Sequence, residues 1–384
     1  MRAGPTRRPR RPARQAPTEA DGPDALGREM AQGPDAVAGT LAEIARLRAA
    51  LDALLADAGR VVLVGTGASL AVIHTAAPLW RRAAPTTRLR ATVRVPDIVE
   101  RESAAVVLGD VDGRPFSRED LVIAVSQSGT SPETLAAARQ ARAAGSAVLA
   151  VTAHPDSPLG AAASLSLPIE SGEEHDASTK SALATLAGLL GLWRILPVEE
   201  RGMEAVDRLR VVAASREDAI AAGGRLAAAE HVWFLGFGAA LGLAEAGALL
   251  WHEKVIRTAV ATTPSEFRHG LIEASSARDA VILLEVDAPN ARRGAYLGRL
   301  RAELAALDIA VVEITPAMTG SGPGPAPARH VWIDTMRGEP AARALETLLR
   351  IQQIARATAL AAGTYRDGFA ILRRFVTPAD DLVQ

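Results

Sequence analysis

The segment Ser126–Ser131 carries four hydroxyl-bearing side chains in six residues, between a predicted strand and a predicted helix. Hydroxyls, backbone amides and the free N–H groups of a helix N-terminus can bind a phosphate without a fixed positive charge. The alternative is an ordinary turn in which one serine caps the helix. Because a cap uses one hydroxyl, four of them favour an anion site.

A second turn, Gly65–Ser69, also follows an apolar run. It matches a dinucleotide-binding turn only in part. Leu70 stands where that motif has a small residue, and Arg88 stands where an acidic residue would hold the ribose. These residues make nicotinamide binding an unfavourable interpretation. The turn fits a close approach of the backbone to the phosphate predicted at Ser126–Ser131, with Ser69 donating a hydrogen bond.

Two candidate acid–base groups follow in the second half. Glu253 belongs to a predicted helix, Ala240–Ile256, that is apolar on the preceding turns. Burial would raise the pKa of its carboxyl group, which suits a general acid or base; otherwise Glu253 marks the exposed end of an amphipathic helix. His269, in the segment Ser265–Gly270, is either structural or a proton donor. Ile256 replaces the second histidine of a helical zinc site, so no metal site is predicted.

The polar run Glu173–Lys180 predicts a helix N-terminus, with Ser178 or Asp176 as its cap. Lys180 and Lys254 are the two lysines among 43 basic residues, so a Schiff-base mechanism would have two candidate amines. We expect Lys180 to pair with an anion instead.

Composition narrows the class of protein. A chain of 384 residues is long enough for two domains. The 43 basic and 44 acidic residues give a net charge of −1, which offers no general attraction for nucleic acid or an anionic membrane. The absence of cysteine excludes disulfides and thiolate chemistry. No apolar run reaches the roughly 18 residues of a membrane span, and a cytoplasmic enzyme is expected.

Apolar runs alternate with helical patterns, as in parallel sheets covered by helices. In the first half, the predicted helices and strands are Asp35–Leu55, Arg60–Val64, Leu121–Val125, Pro132–Ala144 and Ala147–Thr152. In the second half they are His231–Leu235, Ala240–Ile256, Ala280–Glu285, Arg292–Ala306, Ile309–Ile314 and Pro340–Ala362. Two α/β units joined near Pro197–Arg208 are therefore expected.

The chain ends differ from these units. Residues 1–18 contain six arginines, four prolines and no acidic residue, which predicts a disordered leader or a basic contact arm. We expect a leader at 1–28, a first unit at 29–198, a second at 205–362 and a C-terminal tail at 363–384.

From about Glu29 onward the sequence resembles the SIS (sugar isomerase) family, including the isomerase half of glucosamine-6-phosphate synthase and the related aminosugar-phosphate deaminases. The segments that carry this resemblance are Glu29–Ala36, Gly67–Ser69, Ser126–Gly129, Ala177–Lys180, Gly247–Leu249, Glu253 and Glu266–Gly270.

The resemblance implies two SIS domains, each a parallel sheet flanked by helices in a flavodoxin- or Rossmann-like α/β/α sandwich. It implies a sugar phosphate substrate, a homodimer with shared active sites, and no metal or organic cofactor. Glu253 would move a proton between C1 and C2, and His269 would open the sugar ring in the neighbouring subunit's site. The implied substrate-binding residues are Ser69, Ser126, Gln127, Ser128, Ser131 and Ser178.

Four positions depart from the family pattern. Leu250 stands where the family has a lysine, Ala68 replaces a threonine and Leu271 replaces a proline. Arg374 occupies the position of a reactive lysine in the tail. Because arginine does not form imines at its high pKa, we expect Arg374 to close the tail over the ligand and to stabilise negative charge on an enediolate oxygen.

The expected activity is C1–C2 proton transfer on glucosamine 6-phosphate or fructose 6-phosphate. The enzyme would be an isomerase, a deaminase or an aminotransferase without its own glutaminase. The alternatives are another sugar phosphate in a specialised pathway and a non-catalytic sugar-phosphate sensor. Glu253 and His269 together favour an enzyme, because a sensor needs only the phosphate loop.

Overall fold

The computed structural model describes residues 24–83, 91–97, 106–108, 115–287, 290–316, 329–335 and 338–369. The strands in this part of the chain are Arg60–Gly65 (β1), Ala91–Asp97 (β2), Val106–Leu108 (β3), Asp120–Val125 (β4), Ala147–Thr152 (β5), Leu165–Pro168 (β6), His231–Gly236 (β7), Thr258–Thr262 (β8), Ala280–Leu284 (β9), Ala310–Pro316 (β10) and His330–Thr335 (β11). The helices are Ala25–Ala31 (α1), Gly33–Ala56 (α2), Gly67–Ala83 (α3), Pro132–Ala143 (α4), Pro158–Ala162 (α5), Lys180–Leu192 (α6), Glu200–Ala214 (α7), Glu217–Leu226 (α8), Ala239–Leu250 (α9), Pro264–Arg268 (α10), Ala291–Ala306 (α11) and Pro340–Ala361 (α12).

The strands form two sheets flanked by helices, which confirms the predicted α/β class. The first sheet has the order β3-β2-β1-β4-β5-β6 and the second β11-β10-β9-β7-β8. All pairs are parallel except β2 with β3, so this edge departs from the predicted all-parallel sheet. The inner strands β1, β4 and β9 are fully buried because helices cover both faces. The order β2-β1-β4-β5-β6 recurs as β8-β7-β9-β10-β11.

One apolar core joins the two sheets. It extends from Leu26 to Tyr365 and includes residues of α3, α6, α9 and α12, which pack against one another. Smaller clusters fill the opposite faces, under α4 in the first sheet and under α11 in the second. The helices shared by the two sheets therefore place residues from both halves of the chain side by side.

The close approach of α9 to α3 depends on Gly242. A Cβ atom at this position would lie 2.3 Å from the amide nitrogen of Thr75 and 2.6 Å from the carbonyl oxygen of Ala71. These are rigid backbone atoms of a neighbouring helix. Any side chain at position 242 would therefore push the two helices apart.

Gly242→Ala should lower the free energy of unfolding by about 1–3 kcal/mol, because the added methyl group overpacks this contact. Gly224→Ala on α8 is the matched control, since a Cβ there meets nothing within 4 Å. The control should raise stability by about 0.5–1 kcal/mol. Urea denaturation measures both, and equal effects of the two changes would contradict the account of the helix contact.

Two of the expected boundaries overlap helices of the structure. The predicted junction Pro197–Arg208 overlaps α7, which buries Ala205 and Val206 in the core. The predicted leader at 1–28 overlaps α1, where the Asp24 carboxylate caps the helix by accepting from the amide of Gly27 at 2.7 Å. Residues 1–23 lie outside the described residues. Among the helices that the structure describes, none is both long and apolar enough to cross a membrane.

Candidate active site

The two predicted anion-binding turns leave the first sheet side by side. Strand β1 pairs with β4 in parallel, with Gly65 opposite Val125, so Gly65–Ser69 and Ser126–Ser131 lie at neighbouring carboxyl ends. Strand β2 lies on the other side of β1, so the strand order reverses at this point. Open α/β sheets bind ligands at such reversals.

Hydroxyl groups in the second turn bond to one another and do not cap the helix. Ser126 Oγ lies 3.0 Å from Ser131 Oγ, and Ser128 Oγ lies 2.9 Å from Thr130 Oγ1. Ser131 occupies the N-cap position of α4 but makes no side-chain cap bond, so the capping interpretation is wrong. Gly129 has φ +65° and packs so closely that a Cβ would lie 1.9 Å from a neighbouring serine hydroxyl. The turn therefore requires glycine at position 129 and gathers four hydroxyl groups in two hydrogen-bonded pairs.

Two carboxylates hold the loop before α6. Glu174 is buried and accepts from the amide of Thr179 at 2.9 Å and from Ser181 Oγ at 2.5 Å. Burial raises the pKa of the Glu174 carboxyl group, although these hydrogen bonds oppose the rise. Glu29 accepts from the loop amides at positions 175 and 176. Together they fix Ser178, whose hydroxyl lies 2.7 Å from that of Ser181.

The predicted caps of α6 are wrong. Thr179 occupies the N-cap position and makes no side-chain cap bond. Ser178 bonds to Ser181 within the first turn, and Asp176 forms an ion pair with Lys254 of the second half. The polar run Glu173–Lys180 therefore forms a loop that contacts the second half of the chain through Asp176.

Glu253 lies on a π-helical turn, Trp251–Val255, that continues α9. The predicted α-helix is thus interrupted: the amide of Ile256 bonds to the carbonyl of Trp251 at 3.0 Å. Ile256 itself is left-handed, with φ 59°, a conformation that a β-branched residue rarely adopts. Single π turns within helices are frequent at functional sites.

A cavity lies between α3, α6, α9 and α12, and Glu253 forms part of its wall with Ser178 and Ala68. The other lining residues are Ala182, Ala246, Leu249, Leu250, Leu348, Ile351 and Gln352. Because this wall is largely apolar, burial raises the pKa of Glu253 from 4.5 to about 7. Lys254 opposes that rise, whereas Asp176 and Glu174 add to it. The predicted raised pKa is confirmed.

Gln352 is a cavity residue that sequence analysis did not identify. Its Nε2 donates to the carbonyl of Thr179 at 3.1 Å, while its buried Oε1 has no hydrogen-bond partner. An unpaired buried acceptor is unfavourable, so a hydroxyl or amine of a ligand would stabilise it. A glutamine in a helix predicted to be buried could have indicated this position. It would not have singled out Gln352, because α12 buries several other polar residues.

The remaining predicted groups do not meet at this cavity. His269 is exposed at the end of α10 and is not among the residues that line the cavity. Arg374 lies outside the described residues. The Lys180 amine donates to Gln32 Oε1 at 2.6 Å and to the carbonyl of Glu173 at 2.5 Å, so the expected anion partner is wrong.

Part of the chain is similar to known proteins. Residues 110–190 match the SIS domain family. The glutamine–fructose-6-phosphate aminotransferase (isomerizing) of Pyrobaculum aerophilum is 29% identical over 263 residues, which are 65% of this chain and 41% of the relative. The N-acetylmuramic acid 6-phosphate etherase of Deinococcus radiodurans is 35% identical over 184 residues, 43% of this chain and 60% of the relative. The chain thus spans only part of the length of these curated relatives.

A solved structure extends the likeness to both sheets. Tagatose-6-phosphate ketose/aldose isomerase from Escherichia coli superposes with a TM-score of 0.73, covering 90% of this chain and 95% of that one at 21% identity. At this identity the superposition shows a shared fold. Residues 110–190 of the chain thus match the SIS domain family, and the described α/β fold is shared with this solved structure.

Proposed function

We propose that this chain moves a proton between C1 and C2 of an aminohexose or ketohexose 6-phosphate, as an isomerase or deaminase. The observation that supports this most strongly is the Glu253 carboxyl group, which has a pKa of about 7 and shares a cavity wall with Ser178 and Ala68. A carboxyl group with a pKa near neutrality can both take and return a proton. A sensor would not need such a group.

The proton transfer follows from this placement. The Glu253 carboxylate removes the proton from C2 of the open-chain aldose, giving an enediol, and the protonated acid returns a proton to C1 to give the ketose. With an amino group at C2, the same transfer gives an imine at C2. Water then hydrolyses that imine to the ketose phosphate and ammonia. Neither route needs a covalent link to a lysine, and both lysine amines are engaged in hydrogen bonds.

The substrate's phosphate is proposed to bind at Ser126, Gln127, Ser128 and Ser131, with Ser69 and Ser178 contacting the same ligand. The position of these turns at the strand-order reversal supports this assignment. In the second sheet the equivalent turn after β9 begins with Glu285 and contains Asp287. Because carboxylates repel phosphate, we propose one sugar-phosphate site per chain.

Ser128→Ala should weaken sugar-phosphate binding by about 1–3 kcal/mol through loss of a charge-assisted hydrogen bond. Calorimetry with a hexose 6-phosphate and with the unphosphorylated sugar measures this. The unphosphorylated sugar is the control, and its weak binding should not change. Equal affinity of the wild type for both ligands would contradict the phosphate site.

The repeated strand order supports two SIS units, proposed at 29–198 and 205–362, with the tail from 363 onward. We also propose a homodimer in which His269 opens the sugar ring in the neighbouring subunit's cavity, because His269 is exposed and does not line the cavity of its own chain. The roles of Arg374 and a cytoplasmic location stay predictions.

Mixing Glu253→Gln and His269→Ala protomers should restore part of the activity, because a hybrid dimer carries one intact composite site. Subunit exchange is verified separately with differently tagged chains. Full exchange without any recovery would mean that each site is built from one chain.

Incubation with glucosamine 6-phosphate, following ammonia and fructose 6-phosphate together, tests the proposed function. Equal release of both products from glucosamine 6-phosphate identifies a deaminase. In a separate incubation with fructose 6-phosphate and no ammonia, consumption of that sugar identifies an isomerase. N-acetylmuramic acid 6-phosphate belongs in the panel because of the etherase relative. Binding of these ligands with no turnover of any would favour the sensor.

A further inference from the structure

Lys254 is a fully buried lysine beside the candidate base. Its amine donates to Asp176 Oδ1 at 2.5 Å and to the carbonyls of Arg366 at 2.7 Å and Gly368 at 3.1 Å. Neither the lysine nor the aspartate side chain is exposed. Asp176 Oδ2 also accepts from the amide of Gly368 at 3.3 Å, and the ring of Tyr365 lies 5.2 Å from the amine. Every donor of the ammonium group is therefore engaged.

These contacts join three separate parts of the chain. Asp176 belongs to the loop that fixes Ser178, Lys254 belongs to the π-helical turn of Glu253, and residues 366–368 follow α12. A buried ion pair gains little stability over apolar side chains of similar volume, because both charges lose their hydration. Its presence beside Glu253 therefore points to a role beyond packing.

We propose that Lys254 and Asp176 form a positioning pair for Glu253. The pair holds residues 366–368 against the turn that carries the candidate base and sets the balance of charge around its carboxyl group. Neither side chain is assigned a contact with reacting atoms. The inference rests on the proposed role of Glu253.

Among the described residues, three charged groups act on the Glu253 carboxyl group: Lys254, Asp176 and Glu174. Lys254 favours the ionised carboxylate, and Asp176 and Glu174 disfavour it. The residues that α3, α9 and α12 contribute to the wall are uncharged, and β8, which also packs on the turn, has no titratable side chain. His252, on the same turn, is exposed and accepts from the amide of Ala259. Changes at Lys254 and Asp176 should therefore act on Glu253 with opposite signs.

The test compares Lys254→Met with Asp176→Asn in the full-length protein without substrate. The titration of Glu253 is followed by NMR of ¹³C-labelled glutamate carboxyl groups, and the signal is assigned by its loss in Glu253→Gln. Lys254→Met should raise the pKa of Glu253 by about one pH unit or more, and Asp176→Asn should lower it. A purely structural pair would give no shift, or shifts of the same direction.

Hydrogen exchange supplies the second readout. The amide of Gly368, which donates to Asp176, should exchange at least about tenfold faster in both variants, because the segment 366–368 loses its contacts with the pair. Lys180→Met is the matched control: it removes the chain's other buried lysine and should change neither the Glu253 titration nor this exchange.

If Lys254→Met does not fold, Asp176→Asn still decides the question, because it should lower the pKa of the Glu253 carboxyl group. Lys254→Arg serves as a further control: because it keeps the positive charge, the pKa of Glu253 should stay near that of the wild type. An unchanged Glu253 titration in Asp176→Asn would overturn the proposal. Because no substrate is used, failure to find turnover would count against the proposed function and leave this result standing.

Discussion

Glu253→Gln should lower kcat by about 10²–10⁴-fold, because the amide can neither take nor return the proton. In the wild type, kcat/KM should rise as the pH passes through about 7, where the Glu253 carboxyl group ionises. Steady-state rates across the pH range measure both effects. A variant with wild-type kcat would exclude Glu253 as the base.

The same change should make the protein more stable at high pH. The folded-state pKa of Glu253 is about 7 and its ordinary value is 4.5, so the folded protein holds this proton more tightly than the unfolded chain does. The stability contributed by the protonated group is fully present below pH 4.5 and is lost as the pH rises through 7. Glutamine does not titrate, so Glu253→Gln should gain about 1–3 kcal/mol at pH 8 relative to the wild type.

Urea denaturation at pH 5 and pH 8 measures that gain. Glu217→Gln, at an exposed position of α8, controls for the loss of a carboxylate and should change stability by less than about 0.5 kcal/mol at either pH. An equal effect of Glu253→Gln at both pH values would contradict the raised pKa.

Asp24→Ala should be among the most destabilising single changes, at about 3–5 kcal/mol, because it leaves the buried Arg356 guanidinium without its counter-ion. Asp24 accepts from Arg356 Nε at 2.9 and 3.0 Å and caps α1. Burial alone would raise the pKa of Asp24, but these hydrogen bonds hold it below the ordinary value. The contribution of Asp24 is therefore present above pH 3.8 and is lost as the pH falls through the lower folded-state pKa.

Asp35→Ala is the matched control, since Asp35 pairs with Arg210 at 3.0 Å but is 77% exposed. Exposed ion pairs of this kind contribute about 1 kcal/mol or less. Urea denaturation of the two variants at pH 7 makes the comparison. If Asp24→Ala costs no more than Asp35→Ala, the destabilisation expected from the unpaired Arg356 guanidinium is wrong.

The sequence predicted the inner strands well because each is a continuous apolar run between glycine or serine turns. Strands β1, β4 and β5 begin and end within one residue of their expected positions. The edge strand β8 was missed, since Thr258–Thr262 is partly exposed and short. The start of helix α7 was assigned to the junction, because Pro197 precedes it and charged residues alternate with its apolar ones.

The candidate site was predictable where the chemistry is local and not where it depends on contacts across the chain. The hydroxyl turn and the raised pKa of Glu253 followed from neighbouring residues. The π-helical turn did not, because nothing in Trp251–Val255 distinguishes it from an α-helix. The Lys254–Asp176 contact joins residues 78 positions apart, so periodicity cannot reveal it. The sequence offered one indication that Lys254 has a special role, because the chain contains only two lysines.

Deuterium incorporation from heavy water tests the central claim most directly. The protein is incubated with fructose 6-phosphate, glucosamine 6-phosphate and glucose 6-phosphate in D₂O, and the C1 and C2 positions are followed by proton NMR. The account predicts exchange at C1 or C2 of at least one of these sugars with the wild type and none with Glu253→Gln. Exchange that persists in Glu253→Gln, or its absence in the wild type with ligand bound, would contradict it.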